Sequence, residues 1–295
     1  MPSPFNTDAA DETERRHRDV LIDLLEDDSA IVLAQVREAF TRLGRRGIPA
    51  LRTAVRCGTP RVRGRARQLL LEQARRRAVR RLVRYAARED HDLETGLFLL
   101  DAHGAPGEDL RGYRKVLDAF GDELRRRVTT YPRGRQRVDA LVDYLAGEVG
   151  FSGSSKAFHH PDNIYLHRAI DRREGMPLTL CAIYAFVARR AGLQAGLMAF
   201  PGHVLLSVVE GGERVILDPF GGGEVLTQSS CMRYLAEHGL PFRSEYFVEA
   251  SDTAMLLRHV RNLIHSCRGR DRAPEAADLG LVLRTLTRRL PVEVG

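Results

Sequence analysis

The chain has 295 residues, of which 43% are hydrophobic, so it is long enough to bury a substantial core. Its formal net charge of +7 arises entirely in residues 1–90, which hold 20 basic and 13 acidic residues. No apolar segment follows a basic N-terminus, and no apolar run is long enough for a membrane span. The four cysteines show no zinc or redox spacing. We therefore expect a reduced cytoplasmic protein without metal or cofactor.

The N-terminal region is predicted to be helical after a short tail. Residues 1–18 are polar and acidic, which predicts a disordered tail. Residues 19–90 have a helical pattern with breaks at 27–28, 44–47 and 58–60. The segments that begin at Ser29 and Thr59 are weakly similar to each other, and they resemble two degenerate HEAT repeats.

The same region has an unusual concentration of arginine. Residues 29–88 carry 17 arginines against two acidic residues, Glu38 and Glu72. Such a surface could attract nucleic acid, above all at residues 61–88. However, the whole chain has only two lysines, so arginine is its default basic residue, and aromatic side chains that could stack on bases are few here. The pattern favours a solvated helical face, with nucleic-acid binding as the alternative.

Helical patterns continue over residues 92–100, 110–128 and 138–149, with a glycine- and proline-rich loop at 103–109. The motif HPDNIYL follows at residues 160–166. The neighbouring His159, His160 and His167 could be imagined as metal ligands together with Asp162, but their spacing matches no zinc pattern. We therefore predict a structural role for these histidines.

A buried helix is predicted at the centre of the chain. Residues 176–188 are apolar except for Thr179 and Tyr184, so this helix has no polar face. Pro177 is suited to its first position, and Gly192 is suited to the left-handed conformation that often ends a helix. Such a helix must be covered nearly all round.

The pattern then changes from helix to strand. Residues 203–209 and 214–217 are predicted strands joined by a hairpin that contains Gly211 and Gly212. Thr227 is predicted to cap a helix that extends to residue 237 and contains Cys231. The fold class is therefore α+β and mostly helical, with a small antiparallel sheet packed on the buried central helix. Two further helices, at residues 252–267 and 274–289, resemble one tetratricopeptide hairpin.

Four motifs occur in the order HPDNIYL, EGMPLTL, FPGHVLL and LDPFGGG. Together they resemble the SirB-type bacterial branch of the transglutaminase-like superfamily, which implies a papain-like core. On this basis we predict a tail at residues 1–18, a HEAT-like region at 19–90, a SirB-type domain at 91–248 and a tetratricopeptide-like hairpin at 249–295.

The resemblance also suggests which residues form the site. His203 matches the family histidine and Asp218 the aspartate that orients it, although both could instead be structural residues of a strand end and a turn. The family cysteine lies fifteen positions before the glycine that follows its helix, and counting back from Gly192 reaches Pro177. Cys181 lies one turn further, about 6 Å along the helix axis. The predicted cleft comprises Asn163, Tyr165, Pro177, Phe200, Gly202, Pro219 and Phe220.

Two functions from different classes follow. The first, which we favour, is a catalytically inactive or impaired domain that binds a protein or peptide, because proline stands at the position of the nucleophile. The second is a cysteine-dependent amide hydrolase or acyltransferase in which Cys181, or less plausibly Cys231, attacks while His203 acts as the base and Asp218 orients it.

Overall fold

The computed structural model describes residues 5–155, 158–270 and 272–288. Its contacts divide the chain into two compact units, Met1–Ala78 with Ala105–Gly107 and Val79–Gly104 with Glu108–Gly295. The division falls within one long helix, Pro60–Ala86, whereas the sequence suggested a boundary at residue 90. The four predicted domain ranges remain a prediction.

The first unit consists of helices. They are α1 (Phe5–Asp23), α2 (Ala30–Leu43), α3 (Ile48–Cys57) and α4 (Pro60–Ala86), with short 3₁₀ turns at Leu24–Glu26 and Gly44–Gly47. The predicted breaks at 27–28, 44–47 and 58–60 are therefore confirmed. Val36, Phe40 and Leu51 are buried in a common apolar core. The resemblance of these helices to HEAT repeats remains a prediction.

The N-terminal segment differs from its prediction. A disordered tail was predicted for residues 1–18, but α1 already begins at Phe5, and only residues 1–4 lie outside the described part of this segment. Two charged side chains of this segment have partners further along the chain: Glu14 lies 3.2 Å from Arg46, and the Arg18 guanidinium donates to the Arg46 carbonyl. These contacts, with Leu21 buried one turn later, explain why the segment is helical.

The second unit is built around one buried helix. Its helices are α5 (Leu93–Gly104), α6 (Arg111–Val128), α7 (Arg135–Val142), α8 (Pro161–Ile164), α9 (Leu166–Arg172), α10 (Pro177–Arg190), α11 (Gln228–Glu237), α12 (Asp252–Arg268) and α13 (Ala273–Thr287), and a π-helical turn at Asp143–Glu148 extends α7. Every residue of α10 from Pro177 to Ala188 is buried, as its lack of a polar face predicted. Gly192 follows it at a φ of +87°.

A four-stranded antiparallel sheet packs on α10. Its strands β3 (Gln194–Met198), β4 (Leu205–Glu210), β5 (Glu213–Asp218) and β6 (Glu224–Leu226) follow one another in chain order, while β1 (Ser152–Gly153) and β2 (Glu174–Gly175) form a short parallel pair. Gly211 and Gly212 connect β4 to β5 with φ of +63° and +86°, which suits a tight hairpin turn. The prediction of a mostly helical α+β fold is confirmed.

The two C-terminal helices form the predicted hairpin. Val260 and Leu263 of α12 and Leu279 and Val282 of α13 are buried in the same core. Its resemblance to a tetratricopeptide unit remains a prediction. Within the described residues, no helix combines the length and the apolar character that crossing a bilayer requires.

Two glycines of α6 provide a test of how closely α6 packs on α10. A Cβ added to Gly121 would lie 2.3 Å from the Cβ of Arg190, near the backbone, where the side chain cannot easily move away. We expect Gly121→Ala to lower the free energy of unfolding by about 1–3 kcal/mol. A Cβ on Gly112 meets nothing within 4 Å, so Gly112→Ala should raise it by up to about 1 kcal/mol. Urea unfolding measures both, and a loss of the same size at both positions would contradict close packing at Gly121.

Candidate functional site

The predicted histidine and aspartate meet at one end of the sheet. Asp218 is the last residue of β5, and His203 lies in the bend just before β4, not within the strand as predicted. Because β4 and β5 pair with Leu206 opposite Leu217, the two side chains are brought together. The Nε2 of His203 is 2.8 Å from the Oδ1 of Asp218, and both side chains are largely buried. We refer to this pair as the His–Asp dyad.

The surroundings of His203 fix the orientation of its ring. Gly202 has a φ of +70° in the preceding turn, and the His203 amide donates to the Phe200 carbonyl at 3.0 Å. The Phe220 ring packs edge-on against the imidazole, with centroids 5.8 Å apart, and the Phe220 amide donates to Asp218 Oδ1 at 3.0 Å. Since Nε2 is occupied by Asp218, Nδ1 is the ring nitrogen available to another group.

Cys181 is close to this bend but is held as a neutral thiol. Its side chain is completely buried in α10, and Sγ donates to the carbonyl of Val204, the residue after His203, at 3.2 Å. Burial raises the pKa of the Cys181 thiol well above its ordinary value, and the negative charge of Asp218 acts in the same direction. A reactive cysteine needs an environment that favours the thiolate, and this one favours the thiol.

The start of α10 is covered by the HPDNIYL segment. Pro177 is the first residue of α10 and is buried. The Met176 amide donates to the Asn163 carbonyl at 2.9 Å, and the Thr179 hydroxyl donates to the Ile164 carbonyl at 3.0 Å. The prediction that Asn163, Tyr165 and Pro177 line a cleft is not supported, because the docking of α8 on α10 places all three in the interior.

A cavity of about 380 Å³ adjoins the His–Asp dyad. Its lining comes from the turn before β4, from the sheet and from α11: Phe200, His203, Leu205, Asp218, Glu224, Leu226, Ser230, Cys231, Arg233, Tyr234 and Glu237. Phe200 is therefore the one predicted cleft residue that lines it. Gly202 and Phe220 flank the histidine, and Pro219 is buried beside them.

Cys231 shares this cavity with the dyad, whereas Cys181 is not among its lining residues. Cys231 occupies the first turn of α11, after a capping box formed by Thr227 and Ser230, and only 2% of its surface is exposed. Burial raises the pKa of the Cys231 thiol, and the charge of Asp218 raises it further. The helix start would favour a thiolate, but these two effects outweigh it.

Glu224, Tyr234 and Glu237 also line the cavity, but they lie on β6 and α11 outside the four motifs and were not predicted. No spacing within a motif could have identified them, because the cavity forms only when α11 packs on the end of the sheet. The cap at Thr227 was the available signal, since it fixed where α11 begins.

The histidines near the HPDNIYL motif have structural contacts. The Nδ1 of His160 accepts the Asp162 amide at 3.2 Å at the start of α8, and His167 lies 3.1 Å from the buried Asp101. Over residues 5–155, 158–270 and 272–288, no group of three or more histidine, cysteine or acidic side chains is arranged to hold a metal ion.

A dyad at the end of an antiparallel sheet, packed on a buried helix, defines a papain-like class of site. The family model of the transglutaminase-like superfamily matches residues 111–261, just over half of the chain, and the chain belongs to this superfamily. The matched range contains α10, both residues of the dyad and Cys231.

Several known proteins are similar to part of this chain. A UPF0162 protein of Xylella fastidiosa is 29% identical over 133 residues, which is 45% of this chain and 47% of the relative. Protein SirB1 of Salmonella typhimurium is 27% identical over 130 residues, or 44% and 48% of the two chains. F-box only protein 21 of Mus musculus is 30% identical over 111 residues, or 35% and 18%.

The SirB-type resemblance predicted from the four motifs is thereby confirmed. The chain spans just under half the length of the bacterial relatives named above. No solved structure matches it.

Proposed function

We propose that this transglutaminase-like domain binds a peptide segment of a protein partner and does not carry out cysteine chemistry. The observation that carries the proposal is the state of Cys181, whose thiol is completely buried and donates to the Val204 carbonyl. At the helix start, where papain-like relatives have the cysteine, this chain has Pro177. An imidazole oriented by a carboxylate then remains without a thiolate to activate.

The sheet edge beside the cavity supports binding of an extended peptide. The strand β6 pairs with β5, and no strand among the described residues pairs with its other edge. Glu224 and Leu226 are two residues apart on β6, so they lie on one face of the strand, and both line the cavity. A peptide that added a strand to β6 would direct alternate side chains toward the cavity, as in recognition by β-augmentation.

The competing proposal is a cysteine-dependent amide hydrolase or acyltransferase. For this chain its best nucleophile is Cys231, because that thiol lines the same cavity as the His–Asp dyad. In this proposal His203 removes the thiol proton and Asp218 orients the imidazole.

Thiol reactivity distinguishes the two proposals. In the folded protein at neutral pH we expect iodoacetamide to alkylate the exposed Cys57 readily. The buried Cys181 and Cys231 should react more slowly than Cys57 by roughly 100-fold or by a larger factor. The rates are measured by mass spectrometry of each cysteine peptide, and labelling in urea shows that all the thiols are competent once unfolded. A panel of peptide amides and esters should show no turnover above that of the Cys181→Ala/Cys231→Ala variant.

Fast alkylation of Cys231 at pH 6 would contradict the binding proposal, because it requires a thiolate paired with an imidazolium. Turnover that disappears in Cys231→Ala would contradict it equally and would support the enzyme.

A further inference from the structure

We infer that the cavity beside the His–Asp dyad accepts an arginine side chain of the partner peptide. This inference rests on the proposed function and specifies the chemistry of its partner. It follows from the charges on the rim of the cavity, from the aromatic rings in its wall and from the strand edge next to it.

Negative charge predominates on the rim. Asp218, Glu224 and Glu237 supply three carboxylates, against the single guanidinium of Arg233. In the described part of the chain, neither Glu224 nor Glu237 lies within 4 Å of a basic group, so both charges are available to a ligand. Glu237 is also the last residue of α11, where the partial negative charge of the helix end favours a cation. A cationic group therefore complements this rim.

The walls of the cavity suit a flat cation on a long apolar stem. Phe200 and Leu205 are buried and form an apolar surface along which methylene groups can pack. The half-buried Tyr234 ring lies 5.6 Å from the Phe200 ring at 48°, and the His238 ring stacks on Tyr234 at 4.1 Å. His238 thus covers one face of Tyr234, and the remaining aromatic surface of Tyr234 and Phe200 attracts a cation.

The placement of the carboxylates favours arginine over lysine. Asp218 ends β5, Glu224 begins β6 and Glu237 ends α11, so the acceptors surround the cavity from three different elements. A guanidinium presents five N–H groups in a planar fork and can donate in several directions at once, whereas an ammonium is a compact and strongly hydrated charge. The cavity volume of about 380 Å³ is within the range of pockets that bury a ligand group.

The β6 edge supplies the geometry for the rest of the peptide. A strand added to β6 would run past Glu224 and Leu226, both of which face the cavity. One side chain of the peptide would then enter the cavity while its backbone continues the sheet. A peptide with arginine at that one position is the expected ligand.

The test begins with selection from a random peptide display library on the full chain. We expect selected peptides to share an arginine at one aligned position. A synthetic copy of the best peptide is then compared with copies carrying citrulline or lysine there, by fluorescence anisotropy. Citrulline keeps the shape but loses the charge, and it should weaken binding by about tenfold or more, with lysine intermediate.

Matched protein variants connect the effect to the cavity. Glu224→Gln/Glu237→Gln should weaken the arginine peptide by about tenfold or more and remove its preference over citrulline. Glu213→Gln/Glu245→Gln makes the same change of charge at exposed positions that do not line the cavity, and it should bind like the wild type.

The outcomes separate this inference from the proposed function. Selected peptides without a shared arginine, or with equal affinity for the citrulline copy, overturn the arginine inference and leave peptide binding intact. Equal weakening by both double variants also overturns it, because the effect would then be one of overall charge. Failure to select any peptide, or cysteine-dependent cleavage of the selected peptide, overturns the proposed function itself.

Discussion

Replacing Asp101 with alanine is expected to lower the free energy of unfolding by about 3–5 kcal/mol. The side chain is 1% exposed, and its two carboxylate oxygens accept the amides of Leu166 and His167 at 2.9 and 2.8 Å. The Nδ1 of His167, which is equally buried, lies 3.1 Å from the same carboxylate. Alanine would leave two backbone N–H groups without an acceptor in the interior and would remove the charged group beside the His167 ring.

The loss of stability in Asp101→Ala should also loosen the segment next to the candidate site, because Asp101 holds the start of α9. The preceding turn, α8, contains Asn163, whose carbonyl accepts the Met176 amide at the entrance to α10. Asp101 therefore fastens the segment that covers the helix beneath the His–Asp dyad. Hydrogen exchange at the amides of α8 and α9 should rise with the loss of global stability.

Urea unfolding of two aspartate variants tests this expectation. Asp109 is exposed and its carboxylate pairs with Arg111 in water, so Asp109→Ala should leave the free energy of unfolding close to that of the wild type. Asp101→Asn retains one carbonyl acceptor, so its loss of stability should lie between those of Asp101→Ala and Asp109→Ala. Similar losses for Asp101→Ala and Asp109→Ala would mean that the buried carboxylate does not anchor α9.

Sequence patterns predicted those parts of the fold that depend on local signals. The absence of polar residues in α10 predicted burial on every side, and Gly211–Gly212 predicted the hairpin, because each signal acts within a few residues. The pairing of His203 with Asp218 followed from that hairpin together with the family motifs. All three expectations agree with the structure.

The residues that the sequence misplaced depend on packing between distant segments. Asn163 and Tyr165 belong to a family motif and were predicted to line a cleft, yet the motif serves to dock α8 on α10. Glu224 and Glu237 border the cavity without belonging to any motif. The helix from Phe5 was missed because the partners of its charged residues, such as Arg46 opposite Glu14, lie far along the chain.

The second large effect concerns acid stability and His259. This residue of α12 is 1% exposed, and its Nδ1 has no hydrogen-bond partner in the described part of the chain. Burial lowers the pKa of His259 from its ordinary value of 6.5 to about 3. Between these values the unfolded chain binds a proton that the folded protein does not bind. The contribution of His259 to stability is therefore complete above pH 6.5, and about 3–5 kcal/mol of it is lost as the pH falls toward 3.

Urea unfolding of His259→Leu across this pH range is the corresponding measurement. Leucine is similar in size and cannot be protonated, so the variant should lose less stability than the wild type between pH 6.5 and 4, while at pH 7 it should be as stable or slightly more so. His238→Leu makes the same exchange at an exposed histidine and should lose stability with acid as the wild type does. If His259→Leu retained the full acid dependence, the proton responsible would bind elsewhere. A flattened curve would show instead that folding keeps His259 of α12 uncharged.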